Sequence, residues 1–158
     1  MGFTHLDENG AAVMVDVSGK ATTGRKATAC GRITMSRECY DAVQGKRVKK
    51  GDVLAVARVA GIMAAKRTSD LIPLCHNINI TACEVDFVFH EAECEIEAVC
   101  NVGCEGQTGV EMEALTGVSV SLLTLYDMCK AIDKRMVIGQ IHLAEKTGGK
   151  SGPFVFEA

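Results

Sequence analysis

Tryptophan is absent from this chain of 158 residues and aromatic residues make up only 4% of it, so a platform for stacking nucleic-acid bases has almost nothing to be built from. An excess of positive charge is missing too. Against 17 Lys and Arg stand 20 Asp and Glu, and a net charge of −3 argues against bulk nucleic-acid binding, which needs a basic surface. Long apolar runs are also lacking. The most apolar stretch, 53–65, carries Arg58 and is too short to span a bilayer. The first twenty residues lack the basic segment and apolar run of a secretory leader. The expectation is a cytosolic protein with no membrane and no nucleic-acid partner. Eight cysteines include no Cys-x-x-Cys pair, so a zinc site would have to join Cys75 and His76 to a distant ligand. Cys94 and Cys100 instead share the alternation of Ile96, Ala98 and Val102, the phase of a buried strand face, where free thiols behave as small hydrophobes. Reduced, structural thiols without zinc or disulfides are expected.

What remains is 47% apolar and 23% charged, the composition of one soluble domain with a sizeable core. Residues 1–25 are polar and weakly periodic and are read as a flexible arm, leaving 26–158 as a single domain. Ala29, Gly31, Ile33 and Met35 alternate with polar neighbours and predict a half-buried strand over 27–35. Ser36 then caps a helix, RECYDAVQ, that Gly45 ends. A basic loop, Lys46 to Lys50, leads into a second helix from Val53 to about Ser69. Pro73 breaks that helix and extends Ile72. Strands follow from about Asn77 to Phe89, with a bulge between Ile80 and Cys83, and from Cys94 to Val102. A long helix from Gly109 to Lys134 and a strand from Val137 to Ala144 complete the order. Strand, helices, strand, strand, helix, strand is the βαββαβ of a ferredoxin-like α+β sandwich, an antiparallel sheet with helices on one face.

The long helix organises the chain. Met112, Leu115, Val118, Leu122, Leu125, Cys129 and Ile132 form its apolar stripe, and Thr108 with Glu111 fits a capping box at its start. Off the stripe lie Glu111, Glu113, Asp127, Lys130 and Lys134; taken alone, they are the solvated face of a helix. Other candidates sit where loops meet elements: Lys50, Lys66, Arg67, Cys75 with His76, and Lys146 with Lys150. Cations, a histidine and carboxylates in such places suit a phosphorylated small molecule that needs proton transfers. AEKTGGKS over 144–151 superficially matches a phosphate loop, but such a loop must open a helix, and only seven residues follow Ser151. Lys146 and Lys150 can still meet phosphate as point charges, or only solubilise the tail.

Several segments together resemble one family: KGDV at 50–53, LIPLCH at 71–76, GVEMEALT at 109–116, YDMCKA at 126–131 and GGKSG at 148–152. They look like the molybdenum cofactor biosynthesis protein C family of cyclic pyranopterin monophosphate synthases, in register over about 10–156. Asn77 stands where many members have proline. The resemblance implies a lyase that converts (8S)-3',8-cyclo-7,8-dihydroguanosine 5'-triphosphate to cyclic pyranopterin monophosphate and pyrophosphate. It implies Asp127, Lys50 and Lys130 as catalytic residues, with Lys130 lowered in pKa by nearby cations such as Lys134. It implies Leu74, Cys75, His76, Met112 and Glu113 as substrate contacts, with Glu111, Arg25, Lys66 and Lys146 lining the same pocket and Lys150 joining Lys146 on phosphate. No cofactor is required, Mg²⁺ assistance of pyrophosphate release being left open. The family also implies a homohexamer, a trimer of dimers with shared active sites. Helix geometry points the same way, since Glu113 and Asp127 stand about 21 Å apart along one helix and an antiparallel two-fold pairing would bring them together. A ligand-sensing module and a structural subunit are the other classes that fit the composition.

Overall fold

A computed structural model describes residues 5–157, so the first four residues of the expected arm and the last of the expected domain lie outside the description. Its elements are β1 (Thr23–Thr34), α1 (Arg37–Gln44), α2 (Val53–Ala65), α3 (Thr68–Leu71), β2 (Ile80–His90), β3 (Glu95–Gly106), α4 (Glu111–Cys129), β4 (Val137–Thr147) and β5 (Phe154–Val155). The sheet order is β2-β3-β1-β4-β5, and every neighbouring pair is antiparallel. Without α1, α3 and the short β5, this is the expected ferredoxin-like βαββαβ, with α2 and α4 as its two packed helices. Helix α4 packs on β1, β3 and β4, and α2 packs on α4 and β2. No helix of the described residues is long and apolar enough to cross a membrane.

The core forms where the alternation of β1 and β3 meets α4. Ala27, Ala29, Ile33, Ile96, Ala98, Cys100 and Val102 point inward against Val118, Leu122 and Leu125. Gly31 belongs to the same face, and a Cβ there would lie 2.8 Å from Leu122 Cδ1. Tyr40 from α1 closes one end, edge-on to Phe89 at 5.5 Å. As expected, Ser36 caps α1, its Oγ accepting from the Cys39 N–H, and Gly45 ends it. The irregularity in β2 also falls as expected, between Ile80 and Ala82.

Other expectations need correction. Strand β1 begins at Thr23, inside the range read as an arm, because Thr23–Arg25 pair with Cys104–Gly106. The second helix stops at Ala65 and a separate turn, α3, follows. Strand β2 starts at Ile80 rather than Asn77, and β3 runs to Gly106 rather than Val102. Cys94 has φ +53 and belongs to the turn before β3 rather than to the strand, yet it packs against the same core as Cys100. At the start of α4 no capping box forms: Val110 is the N-cap and no side chain caps the helix. The predicted stripe is also displaced at both ends. Met112 and Ile132 are exposed, while Glu113, Ala114, Gly117 and Ser121 are buried. The cause is α2, which seats its Gly61 against Gly117 and Ser121 and covers a second face of α4.

Candidate active site

The predicted residues gather at the two ends of α4. At the C-terminal end, helical i, i+3 spacing sets Lys130 beside Asp127, its Nζ donating to Oδ1 at 2.7 Å. Lys50 arrives from the loop before α2, which Asp52 caps by accepting from the Ala55 N–H. Its Nζ donates to the Asp127 backbone oxygen at 2.9 Å and lies 3.5 Å from Oδ2. Asp127 is therefore clasped between two ammonium groups. The Lys130 hydrogen bond and charge, then Lys50, hold its carboxyl below the usual carboxylate range. Lys130 moves the other way. The Asp127 hydrogen bond and charge raise its pKa, so the depression expected from Lys134 is overturned and Lys130 stands as a protonated donor. Beside this cluster a cleft of about 590 Å³ takes in Lys50, Lys49 and Arg47 from the basic loop, with Met128 and Ile132.

The N-terminal end of α4 holds a second cleft, of about 360 Å³, lined by Leu74, Cys75 and His76 and by Glu111, Met112 and Glu113. Pro73 ends the preceding helical turn, so 74–76 run irregularly past the first turn of α4. Glu113 is 3% exposed, its Oε2 has no hydrogen-bond partner, and burial pushes its pKa up, with the Glu111 charge adding to the rise. Burial, and then Glu113, raises the Cys75 thiol as well. His76 Nε2 lies 2.7 Å from the Val15 backbone oxygen. A carbonyl can only accept, so Nε2 carries the hydrogen of this contact. This end thus offers a carboxyl biased towards its protonated form beside an imidazole.

A third group adjoins the second. Lys146, near the end of β4, donates to Glu111 Oε1 at 2.9 Å and to Ser151 Oγ at 3.1 Å. Arg25 is held by its Nε donating to the Gly106 oxygen at 2.9 Å. Arg25, Lys150 and Ser151 line a cavity of about 740 Å³. Gly148 and Gly149 have φ of +88 and +78, and a side chain on Gly149 would collide with the Arg25 guanidinium. The GGKSG stretch is thus a loop between β4 and β5 and opens no helix, in line with the rejection of a phosphate loop. Lys66 is the exception among the predicted residues: it is the exposed C-cap of α2, lines none of these three cavities and, unlike Asp127, Lys130 and Lys146, is in no ion pair with a residue of the three groups.

Sequence reasoning missed two contributors. The segment 13–20, read as arm, crosses the cleft, and Val15, Val17 and Lys20 line it. The signal was there in VDVSGK, where Asp16 Oδ1 accepts from the Ser18 N–H as an Asx turn. Asp133 was passed over entirely. Its two oxygens accept from the Ser36 and Arg135 N–H groups at 2.8 Å each, tying the loop after Lys130 to the start of α1.

Glu113 and Asp127 are brought no nearer by the fold. They remain on one continuous helix of 19 residues, about 21 Å apart. Residues 14–149 match the sequence model of the MoaC family. The chain is 58% identical over its whole length to the cyclic pyranopterin monophosphate synthase of Peptoclostridium acidaminophilum, covering 99% of that protein. It is 57% identical to proteins of the same name from Heliobacterium modesticaldum and from Clostridium botulinum, over 98% of each chain. With the family's motif residues standing together at the ends of α4, the chain belongs to the MoaC family.

Proposed function

We propose that this protein is a cyclic pyranopterin monophosphate synthase of molybdenum cofactor biosynthesis, a cytoplasmic lyase that converts (8S)-3',8-cyclo-7,8-dihydroguanosine 5'-triphosphate to cyclic pyranopterin monophosphate and pyrophosphate. The observation that carries the reading is the clasp of Asp127 between Lys130 and Lys50, the latter 77 residues before Asp127 in the chain, at the end of the helix bearing Glu113. The conversion opens the purine's five-membered ring by hydrolysis, closes the pterin ring and attacks the α-phosphorus with a ribose oxygen. Each step moves a proton, and the last expels an anion.

The groups present suit those needs. Lys130, raised in pKa by Asp127, is a proton donor at rest and becomes a base only after giving its proton up. Asp127 holds that ammonium and the Lys50 ammonium at one point, where they can meet a reacting oxygen or nitrogen. Glu113 and His76 offer a second acid–base pair at the other end of the helix. Arg25, Lys146 and Lys150 face the departing pyrophosphate. Ring opening, ring closure and phosphoryl transfer leave the oxidation level unchanged, so no redox cofactor is required; a Mg²⁺ ion on the triphosphate is compatible with the same roles.

The site is shared. One chain's Asp127 cluster acts with the partner's Glu113 cleft across an antiparallel two-fold, and three such dimers build a hexamer. The exposed apolar residues Val56, Val59 and Met63 on α2 and Leu123 on α4 support association through the helical layer. Incubating the purified protein with the cyclic triphosphate tests the assignment. Pyrophosphate and an oxidisable pterin should appear in equal amounts, whereas recovery of the substrate unchanged would leave a binding module.

A further inference from the structure

We propose that Lys20 is a polyphosphate-binding residue of this site, presented by the segment 13–20 as the cation that joins the ring cleft to the phosphate cavity; the substrate class rests on the proposed function. Lys20 lines both spaces, the 360 Å³ cleft that holds His76 and Glu113 and the 740 Å³ cavity that holds Arg25 and Lys150. No other residue named for either cavity is common to both. A ligand with its ring system in the first and its phosphates in the second passes Lys20 on the way.

The position is built rather than incidental. Val15 is pinned where His76 Nε2 donates to its backbone oxygen, and Ser18 where Gln107 Nε2 donates to its oxygen at 3.2 Å. Between them the Asp16 carboxylate accepts from the Ser18 N–H, and the Lys20 N–H closes a turn onto the Val17 oxygen at 2.9 Å. The backbone leading up to the lysine is thereby anchored, one anchor being a residue of the cleft itself, and β1 begins three residues after it at Thr23. Charge agrees. Lys50, Lys130 and Lys146 are each held by a carboxylate, while Lys20 is in none of the ion pairs among the described residues. The cavity it shares with Arg25 and Lys150 is lined by three cations and no acid. Such a surface attracts a chain of phosphates.

Inorganic tripolyphosphate is the probe, titrated calorimetrically into the intact protein alongside Lys20→Ala and Lys20→Arg, with circular dichroism confirming the folds. Losing one charged hydrogen bond to phosphate should weaken binding about ten- to hundredfold in Lys20→Ala, and Lys20→Arg should restore most of it. In turnover of the cyclic triphosphate, Lys20→Ala should raise KM far more than it lowers kcat. Unchanged tripolyphosphate affinity in Lys20→Ala overturns the assignment, as does failure of the unsubstituted protein to bind tripolyphosphate. Equal damage by Ala and Arg also overturns it, because that marks a structural role for the segment. A Lys20-dependent affinity in a protein that makes no pterin product supports the phosphate assignment and sinks the proposed reaction alone.

Discussion

Helices α2 and α4 cross at Gly61 and Gly117, and replacing Gly61 by alanine measures how closely they must approach. A Cβ on Gly61 would overlap Ser121 Oγ and stand 2.9 Å from the Gly117 backbone oxygen and 3.2 Å from Val85 Cγ2. The serine hydroxyl could rotate away, but it donates to the Gly117 oxygen at 2.9 Å, and freeing it in a buried place costs about 1–3 kcal/mol. The carbonyl is backbone and yields only if the helices part, an overpacking cost of about 1–3 kcal/mol. Alanine's better helix propensity returns about 1 kcal/mol. The net expectation is a loss of about 1–5 kcal/mol. Urea unfolding of Gly61→Ala should therefore show a lower midpoint at an unchanged slope. Adding Ser121→Gly should recover part of the loss, because it removes the overlapping hydroxyl, and the double-mutant cycle reads that coupling directly. A Gly61→Ala protein as stable as the parent would refute the close crossing, and with it the account of why Gly117 and Ser121 are buried.

Asp127→Ala, Lys130→Ala and Lys50→Ala should each abolish pterin formation yet unfold like the parent, since all three side chains are substantially exposed; normal turnover in any of them removes its assigned role. Glu113→Gln should change how stability varies with pH. Burial raises the folded-state pKa above the ordinary 4.5, so the folded protein binds the extra proton and the parent loses stability as pH rises through that window, a loss the glutamine variant lacks. Parallel stability–pH curves for the two proteins would contradict the buried carboxyl. Asp133 has the opposite sign: the Arg135 and then the Ser36 N–H groups depress its pKa, so its contribution is full above 3.8 and disappears as pH falls through its lower folded value. Asp133→Asn should therefore unfold earlier than the parent at neutral pH and converge with it in acid.

How much of this was legible in the sequence depended on the range of the interaction involved. The cap and stop of α1 were readable because Ser36 and Gly45 act within three or four residues. The alternation in β1 was readable because one face of the sheet is covered throughout. The start of α4 was not. Thr108 and Glu111 have capping-box spacing, but Lys146 takes the Glu111 carboxylate from 35 residues away, and a charged hydrogen bond outweighs the local one. The edges of the apolar stripe failed for a similar reason, since nothing local announces that α2 will cover Gly117 and Ser121. The family motifs pointed to residues that stand at both ends of α4, yet only the fold shows that Lys50 joins Asp127 on the same chain while Lys66 meets neither group. Segment 13–20 was read as arm because its hold on the site is largely made by its backbone, through the Val15 and Ser18 carbonyls, which leave no mark on residue type.

That same-chain pairing of Lys50 with Asp127 makes the proposed sharing of the site between subunits directly measurable. Glu113→Ala and Asp127→Ala proteins, each inactive, are mixed under conditions where subunit exchange is demonstrated, and pyrophosphate release is followed. In a mixed dimer one site has both of its ends intact and the other has neither, so random exchange should restore about a quarter of the parental activity. Mixing Lys50→Ala with Asp127→Ala should restore nothing, because both changes damage the same cluster and every site retains one of them. Exchange without recovery in the first mixture, or equal recovery in both, would contradict a site built from the opposite ends of two α4 helices.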